Sequence, residues 1–415
     1  MNQNKLIVAL ILLIFFVISF LTNILGPIIP DIIDSFTLSI GLAGFLPFSF
    51  FVAYAVMSIP SGILVEKYKE KKMLVLAFSL AFLGAILFAL IPGFAVALTS
   101  LFIIGIGMAI LQVVINPLLR TAGGEEHFAF NSVMGQLAFG AASFLSPMLY
   151  SYLVTNMHTG KASLLFTFLD GMVPENLKWV SLYWVFAVIA FVMVIVVYLA
   201  RFPKVELKED EKIDIAVAFR ELLSNKIVIL YFLGIFCYVG TEQGIANWIS
   251  KFLQTYHGVD PATTGATVIS YFWGLLTIGC LLGLLLLKFM DSRTVLIGFT
   301  SGAILALLVA LFGPVSWALI AFPLTGFFAS VMWSIIFSLA LNSVPQHHGT
   351  FSGILCTGIA GGAVVPLIVG GIAEITGLKL AMLFLLITLG YILSIGIWAK
   401  PLVSNATKNL KDIFR

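Results

Sequence analysis

Apolar and polar positions alternate along this chain on the scale of whole segments rather than single residues. Twelve long apolar stretches recur, at about 6–30, 40–65, 73–91, 94–119, 128–154, 179–200, 227–253, 263–289, 295–312, 317–344, 351–375 and 380–399. A helix that crosses a bilayer needs roughly 20 mostly apolar residues. Helices are the expected element, because backbone groups in lipid must be satisfied within their own segment. The stretches are too long and too uniformly apolar for the alternating strands of a β-barrel. One charged run, Arg201–Lys226, divides them six and six. The pattern predicts an all-α membrane protein with twelve transmembrane helices in two pseudo-symmetric six-helix bundles. These are residues 1–200 and 227–415, joined by a linker at 201–226.

Composition agrees. Apolar residues make up 61% of the chain and charged residues only 10%, with a mean hydropathy of +1.12; soluble domains lie far from these values. Cations mark cytoplasmic loops. With both termini inside, the inner face carries Lys5, Lys67, Lys69, Lys71, Lys72, Arg120, the linker cations, Lys288, Arg293 and the C-terminal lysines, against only Lys161, Lys178, Lys251 and Lys379 outside. The expected form is a multi-pass protein surrounded by lipid, with a monomer as the expected state. The first stretch is too long for a signal-peptide core and is read as helix 1. Residues 213–223 of the linker show helical apolar spacing, as for a segment lying on the inner membrane surface or tethering the bundles. Cys237, Cys280 and Cys356 all fall in apolar stretches, which favours ordinary core cysteines over disulfides. No phosphate-binding loop, metal-ligand spacing or catalytic cluster is present. Neither a cofactor, a metal nor an enzymatic activity is expected, and a net charge of +3 needs no nucleic acid to explain it.

The chemistry then rests on the few polar residues inside the apolar stretches, where ionisable groups are expensive and usually face a cavity. Glu242 lies near the centre of helix 7, beside Tyr238, Gln243 and Asn247. It reads as a substrate hydrogen-bond acceptor or a proton carrier; the alternative is a structural carboxyl bonded to a neighbouring helix. Helix 1 carries Asn23 at mid-depth, then Pro27, Pro30 and Asp31; the prolines loosen the helix. Helix 4 carries Gln112, Asn116 and Arg120 at four-residue spacing, one polar face that either lines a pathway or joins helices. Arg120 reads as a gate or anchor. Gln136 in helix 5, Trp273 in helix 8, and Trp333 and Asn342 in helix 10 complete the candidate substrate-binding set. The tryptophans would stack on a sugar ring or serve as core.

The loop after helix 2, Gly62 to Lys72, resembles the signature loop of the major facilitator superfamily. It keeps Gly62, Glu66, Lys67, Lys71 and Lys72, and departs at Lys69, where glycine is usual, and at Glu70, where a cation is usual. A weaker copy follows helix 8, at Gly283 to Arg293. Residues 111–117 (LQVVINP), 236–242 (FCYVGTE), 272–274 (FWG), 333–342 (WSIIFSLALN) and 359–366 (IAGGAVVP) resemble the fucose–galactose–glucose:proton symporter family. The resemblance implies proton-driven monosaccharide uptake across the cytoplasmic (inner) membrane of a bacterium, by rocking of two six-helix halves around a central cavity. It matches Asp31 to the family's helix 1 acid. The helix 4 acid falls at Gln112, which cannot titrate, so Asp31 and Glu242 are the candidates for proton coupling. Sodium coupling, uncoupled facilitation and export of another small polar solute remain alternatives.

Overall fold

The computed structural model describes residues 3–123, 128–160, 163–202, 221–344 and 348–402. Among them, twelve helical spans are long and apolar enough to cross a membrane. Spans 1–6 are Lys5–Phe36, Ile40–Val65, Glu70–Leu90, Phe94–Gly123, Val133–Asn156 and Glu175–Leu199. Spans 7–12 are Lys226–Ala246, Pro261–Leu286, Ser292–Phe312, Val315–Leu341, Phe351–Thr376 and Leu378–Trp398. Twelve crossings return the chain to its starting side, so span 1 begins and span 12 ends at one face. We call it the terminal face, and its opposite the far face. The linker helix expected at residues 213–223 lies outside the described residues up to 220; residues 221–224 are helical.

Spans 1–6 pack largely on one another: 2 and 3 on 4, 3 on 6, and 1 on 4 and 5. Spans 7–12 repeat the scheme: 8 and 9 on 10, 9 on 12, and 7 on 10 and 11, with 7 also against 12. Between the two sets, span 5 lies against span 8, span 2 against span 11, and the helix Leu25–Phe36 against Ile249–His257.

Several spans are interrupted, and the breaks organise the interior. Span 1 is two helices, Gln3–Thr22 and Leu25–Phe36. It runs past Pro30, where the apolar pattern stops, because the last turns alternate Asp31, Asp34 and Ser35 with the buried Ile32 and Ile33. Pro27 falls in the first turn of the second helix, where the missing N–H has no helical partner to lose. The helix of span 7 ends at Ala246 and a second one, Ile249–His257, continues it to the far face. Span 10 breaks between Ala329 and Met332.

The helices of spans 2 and 3, Phe45–Tyr68 and Glu70–Leu90, are joined by the single residue Lys69, at φ 71° and ψ 158°. This region of backbone space is essentially reserved for glycine. Gly377, between spans 11 and 12, adopts nearly the same angles, φ 81° and ψ 156°. The departure from glycine at Lys69 in the signature loop therefore falls where glycine is conformationally favoured.

Candidate transport pathway

The breaks in spans 1 and 7 are counterparts. Each is two residues long and begins with an asparagine: Asn23–Ile24 and Asn247–Trp248. A break frees backbone groups inside the apolar layer, and these need polar neighbours. Both asparagines are buried. Asn23 donates from Nδ2 to Ser143 Oγ of span 5 at 2.9 Å and lies 3.4 Å from Ser19 Oγ. Ser19 Oγ in turn donates to the Phe139 carbonyl at 2.6 Å. Across the interface, Gln243 Nε2 donates to Asn23 Oδ1 at 3.4 Å. Asn247 Nδ2 donates back to the Gln243 carbonyl at 2.9 Å and to its Oε1 at 3.3 Å. The result is a continuous plug of buried amides and hydroxyls that joins spans 1 and 5 to span 7. Buried polar groups left unpaired are costly, so the plug holds the two sets of spans together here.

A carboxylate held by a tyrosine lies on each side of the plug. Tyr150 of span 5 donates its hydroxyl to Asp31 Oδ2. Tyr238, one turn before Glu242 in span 7, donates to Glu242 Oε1 at 2.7 Å. The Tyr238 ring meets Trp333 of span 10 at 6.1 Å between centroids, and Trp333 stacks on Phe337 at 5.8 Å and 23°. Glu242 and Trp333 are both half-buried. Together they form an acid beside an aromatic wall, the chemistry that a hydroxylated ring with one apolar face would use.

The far face is drawn shut. Lys251 Nζ lies 4.0 Å from Asp34 Oδ1, linking the far ends of spans 7 and 1. Glu374 of span 11 accepts the Gly41 N–H of span 2 at 2.8 Å. Gly26 lies against the Ala246 carbonyl so closely that a Cβ there would collide with it. Asp34 thus has a partner across the interface.

The other residues singled out by sequence are spread around this centre. Gln112 is half-buried on span 4 and makes no hydrogen bond among the described residues. Gln136 is exposed on span 5, one turn from Gly140, which meets Thr277 of span 8. Trp273 is 3% exposed and packs edge-on against Phe272, so it presents no free face for a ring in this state. Its Nε1 is buried without a partner among the described residues. Asn342 caps the terminal-face end of span 10, where its carbonyl accepts from Leu402 N at 2.7 Å; it is not part of the central cluster. In the signature loop, Gly62 faces open space, Lys67 lies over the Tyr68 ring and Lys71 over the Tyr198 ring of span 6, and Lys72 is exposed. The side chains of Glu66, Asn116 and Arg120 lie outside the described residues. Tyr150, Ser19, Ser143 and Glu374 were not singled out. A lone hydroxyl in an apolar span signals only helix contact, and Glu374 stands alone at a span end.

Residues 11–366 match the Major Facilitator Superfamily. The chain belongs to the major facilitator superfamily. Among its relatives, the glucose/galactose transporter of Brucella abortus is 30% identical over 400 residues, 93% of this chain and 92% of the relative. The L-fucose-proton symporter of Escherichia coli is 26% identical over 393 residues, 89% of this chain and 87% of the relative. Among solved structures, the E. coli fucose:proton symporter FucP, in the outward conformation, aligns with a TM-score of 0.67 at 22% identity, over 96% of this chain and all of that one. A bacterial homologue of the human lysosomal transporter Spinster, inward-facing and unoccupied, aligns at 0.77 and 15% identity, over 95% of this chain and 97% of that one. The protein is a sugar transporter of this superfamily, not an enzyme, and a multi-pass protein of the inner membrane.

Proposed function

We propose that the protein takes up a monosaccharide, a hexose or deoxyhexose, by proton symport. The terminal face is cytoplasmic, and the halves 1–200 and 227–415 rock about the linker at 201–226. The observation that carries this reading is the pair of tyrosine-held carboxylates flanking a buried amide plug. Proton coupling needs a titratable group that the sugar cycle can expose to either solution, and Asp31 and Glu242 are the candidates. The amides of Asn23, Gln112, Gln243 and Asn247 match sugar hydroxyls as donor and acceptor at once. Glu242 accepts a hydrogen bond from a sugar hydroxyl, and Trp333 offers the ring face. Gln136, Asn116 and Tyr238 extend the binding set. The names of the relatives support the substrate class, and the cation excess of the terminal-face loops supports the orientation.

Far-face closure supports an inward-facing state. In the opposite state spans 1 and 7 part, the amides of the plug lose each other, and sugar hydroxyls take their place. A panel of radiolabelled hexoses and deoxyhexoses, offered to proteoliposomes with and without an imposed pH gradient, tests the reading. One or more sugars should accumulate above the external concentration only with the gradient. Equal plateaus under both conditions would leave an uncoupled facilitator.

A further inference from the structure

Asp31 and Glu242 lie on opposite sides of the plug, and Asp31 meets a cavity at the far face. In span 1 every residue from Phe20 to Pro30 is buried, as are Ile32 and Ile33, whereas Asp31 is not. Its opening is a cavity of about 460 Å³ at the far face, lined by Asp34, Ser35, Val154, Glu175, Lys178 and Trp179 among others. All of these belong to spans 1, 5 and 6, hence to one half. Trp179 Nε1 donates to Ser35 Oγ at 3.0 Å across this wall. Rocking of one half against the other leaves such a cavity intact.

In span 7 every residue from Gln243 to Ser250 is buried on the far-face side of Glu242, and Tyr238 to Thr241 are buried on its terminal-face side, while Glu242 itself is half-buried. Glu242 therefore lies on the terminal-face side of the plug, which separates it from the far face.

We propose that Asp31 exchanges protons with the far-face solution in both states, through a cavity confined to the N-terminal half, and that proton release at the terminal face belongs to Glu242. In the outward state Glu242 takes a proton from the external solution. In the present state it returns that proton to water on the terminal side. Asp31 gains and loses its proton on the far side alone and acts on the gate. The groups facing it are Tyr150 from span 5, Asp34 on its own helix, Glu175 and Lys178 across the cavity, and Asp260 at the head of span 8. Asp34 in turn pairs with Lys251 of span 7. A negative Asp31 adds to the field that holds Lys251 and so favours the closed far face.

This inference rests on the symport reading, but its test does not require a sugar. A Gly41→Cys/Glu374→Cys disulfide, with the three native cysteines replaced by serine, locks the far face. Glu374 Cγ lies 2.8 Å from a Cβ built at Gly41. One C–C bond of ~1.5 Å beyond it puts the Cβ atoms at most ~4.3 Å apart, within disulfide reach. Locked protein in proteoliposomes of tag-defined insertion is then given a pH step on one face. Infrared difference spectra follow the carboxyl bands, assigned by subtracting Asp31→Asn and Glu242→Gln, or by the band shift of Asp31→Glu should the asparagine variant fail to fold. The Asp31 band should follow far-face pH at the same rate, within twofold, with the disulfide closed or reduced. The Glu242 band should follow terminal-face pH alone while the disulfide is closed. An Asp31 band that follows the terminal face, or the far face only after reduction, overturns the assignment and leaves sugar–proton symport standing. Absence of sugar uptake with the expected infrared pattern removes symport and leaves the one-sided access.

Discussion

Replacing Gly26 by alanine should drive the transporter out of its far-face-closed state without unfolding it. A Cβ at this position would collide with the carbonyl oxygen of Ala246 and stand 3.2 Å from Ile269 Cδ1. The isoleucine tip can turn away. The carbonyl is backbone, at the end of the helix Lys226–Ala246, and yields only if spans 1 and 7 separate. Overpacking of this kind costs about 1–3 kcal/mol, which converts to a shift of roughly five- to 150-fold in the closed-to-open ratio. The alanine also gains ~1 kcal/mol of helix propensity, but in both states, so it cancels from the ratio and offsets any loss of stability. Spin labels at the exposed Leu42 and Thr255 (far ends of spans 2 and 7) would report the distance between the halves. The distribution should move to longer separations in the alanine variant, with an unchanged melting temperature. An unaltered distribution would refute the claim that Gly26 sets the approach of spans 1 and 7.

Glu374→Gln keeps the shape of the Gly41 contact and removes its charge; since the group is exposed, the expected loss is about 0.5–1 kcal/mol, a two- to fivefold shift towards far-face opening in the same spin-label assay. Lys69→Gly relieves a backbone conformation that costs ~1–3 kcal/mol, partly offset by the greater chain entropy of glycine, so thermal unfolding should move upward; a lower midpoint would contradict the strain. Asn23→Ala leaves Ser143 and Gln243 short of a buried partner, at a cost of ~1–3 kcal/mol, and the melting temperature of the closed state should fall. Trp333→Leu should raise the sugar KM several times more than Trp273→Leu, because only the first ring offers a free face; equal effects would contradict that distinction.

The spans were legible because a membrane helix must be apolar over nearly its whole length, a demand that no tertiary contact overrides. The pattern fades where polar residues take over. The apolar stretch of span 1 ends at Pro30, although Ile32 and Ile33 continue its buried face beyond Asp31. The break in span 7 left no mark, since Asn247–Trp248 contains neither glycine nor proline. Glu242 beside Tyr238 followed from four-residue spacing alone. The Asp31–Tyr150 and Asn23–Ser143 contacts join spans about 120 positions apart, and no local pattern encodes such pairings. Burial of Trp273 depends likewise on the packing of span 8 against its neighbours.

The central claim is that sugar and proton cross together. Addition of a transported hexose to the outside of proteoliposomes, with equal pH on both sides and a pH-sensitive dye within, tests it directly. Coupled entry predicts that the lumen acidifies as sugar enters, and that Glu242→Gln abolishes the acidification while exchange of labelled for unlabelled sugar persists. Sugar entry at an unchanged internal pH would contradict the account.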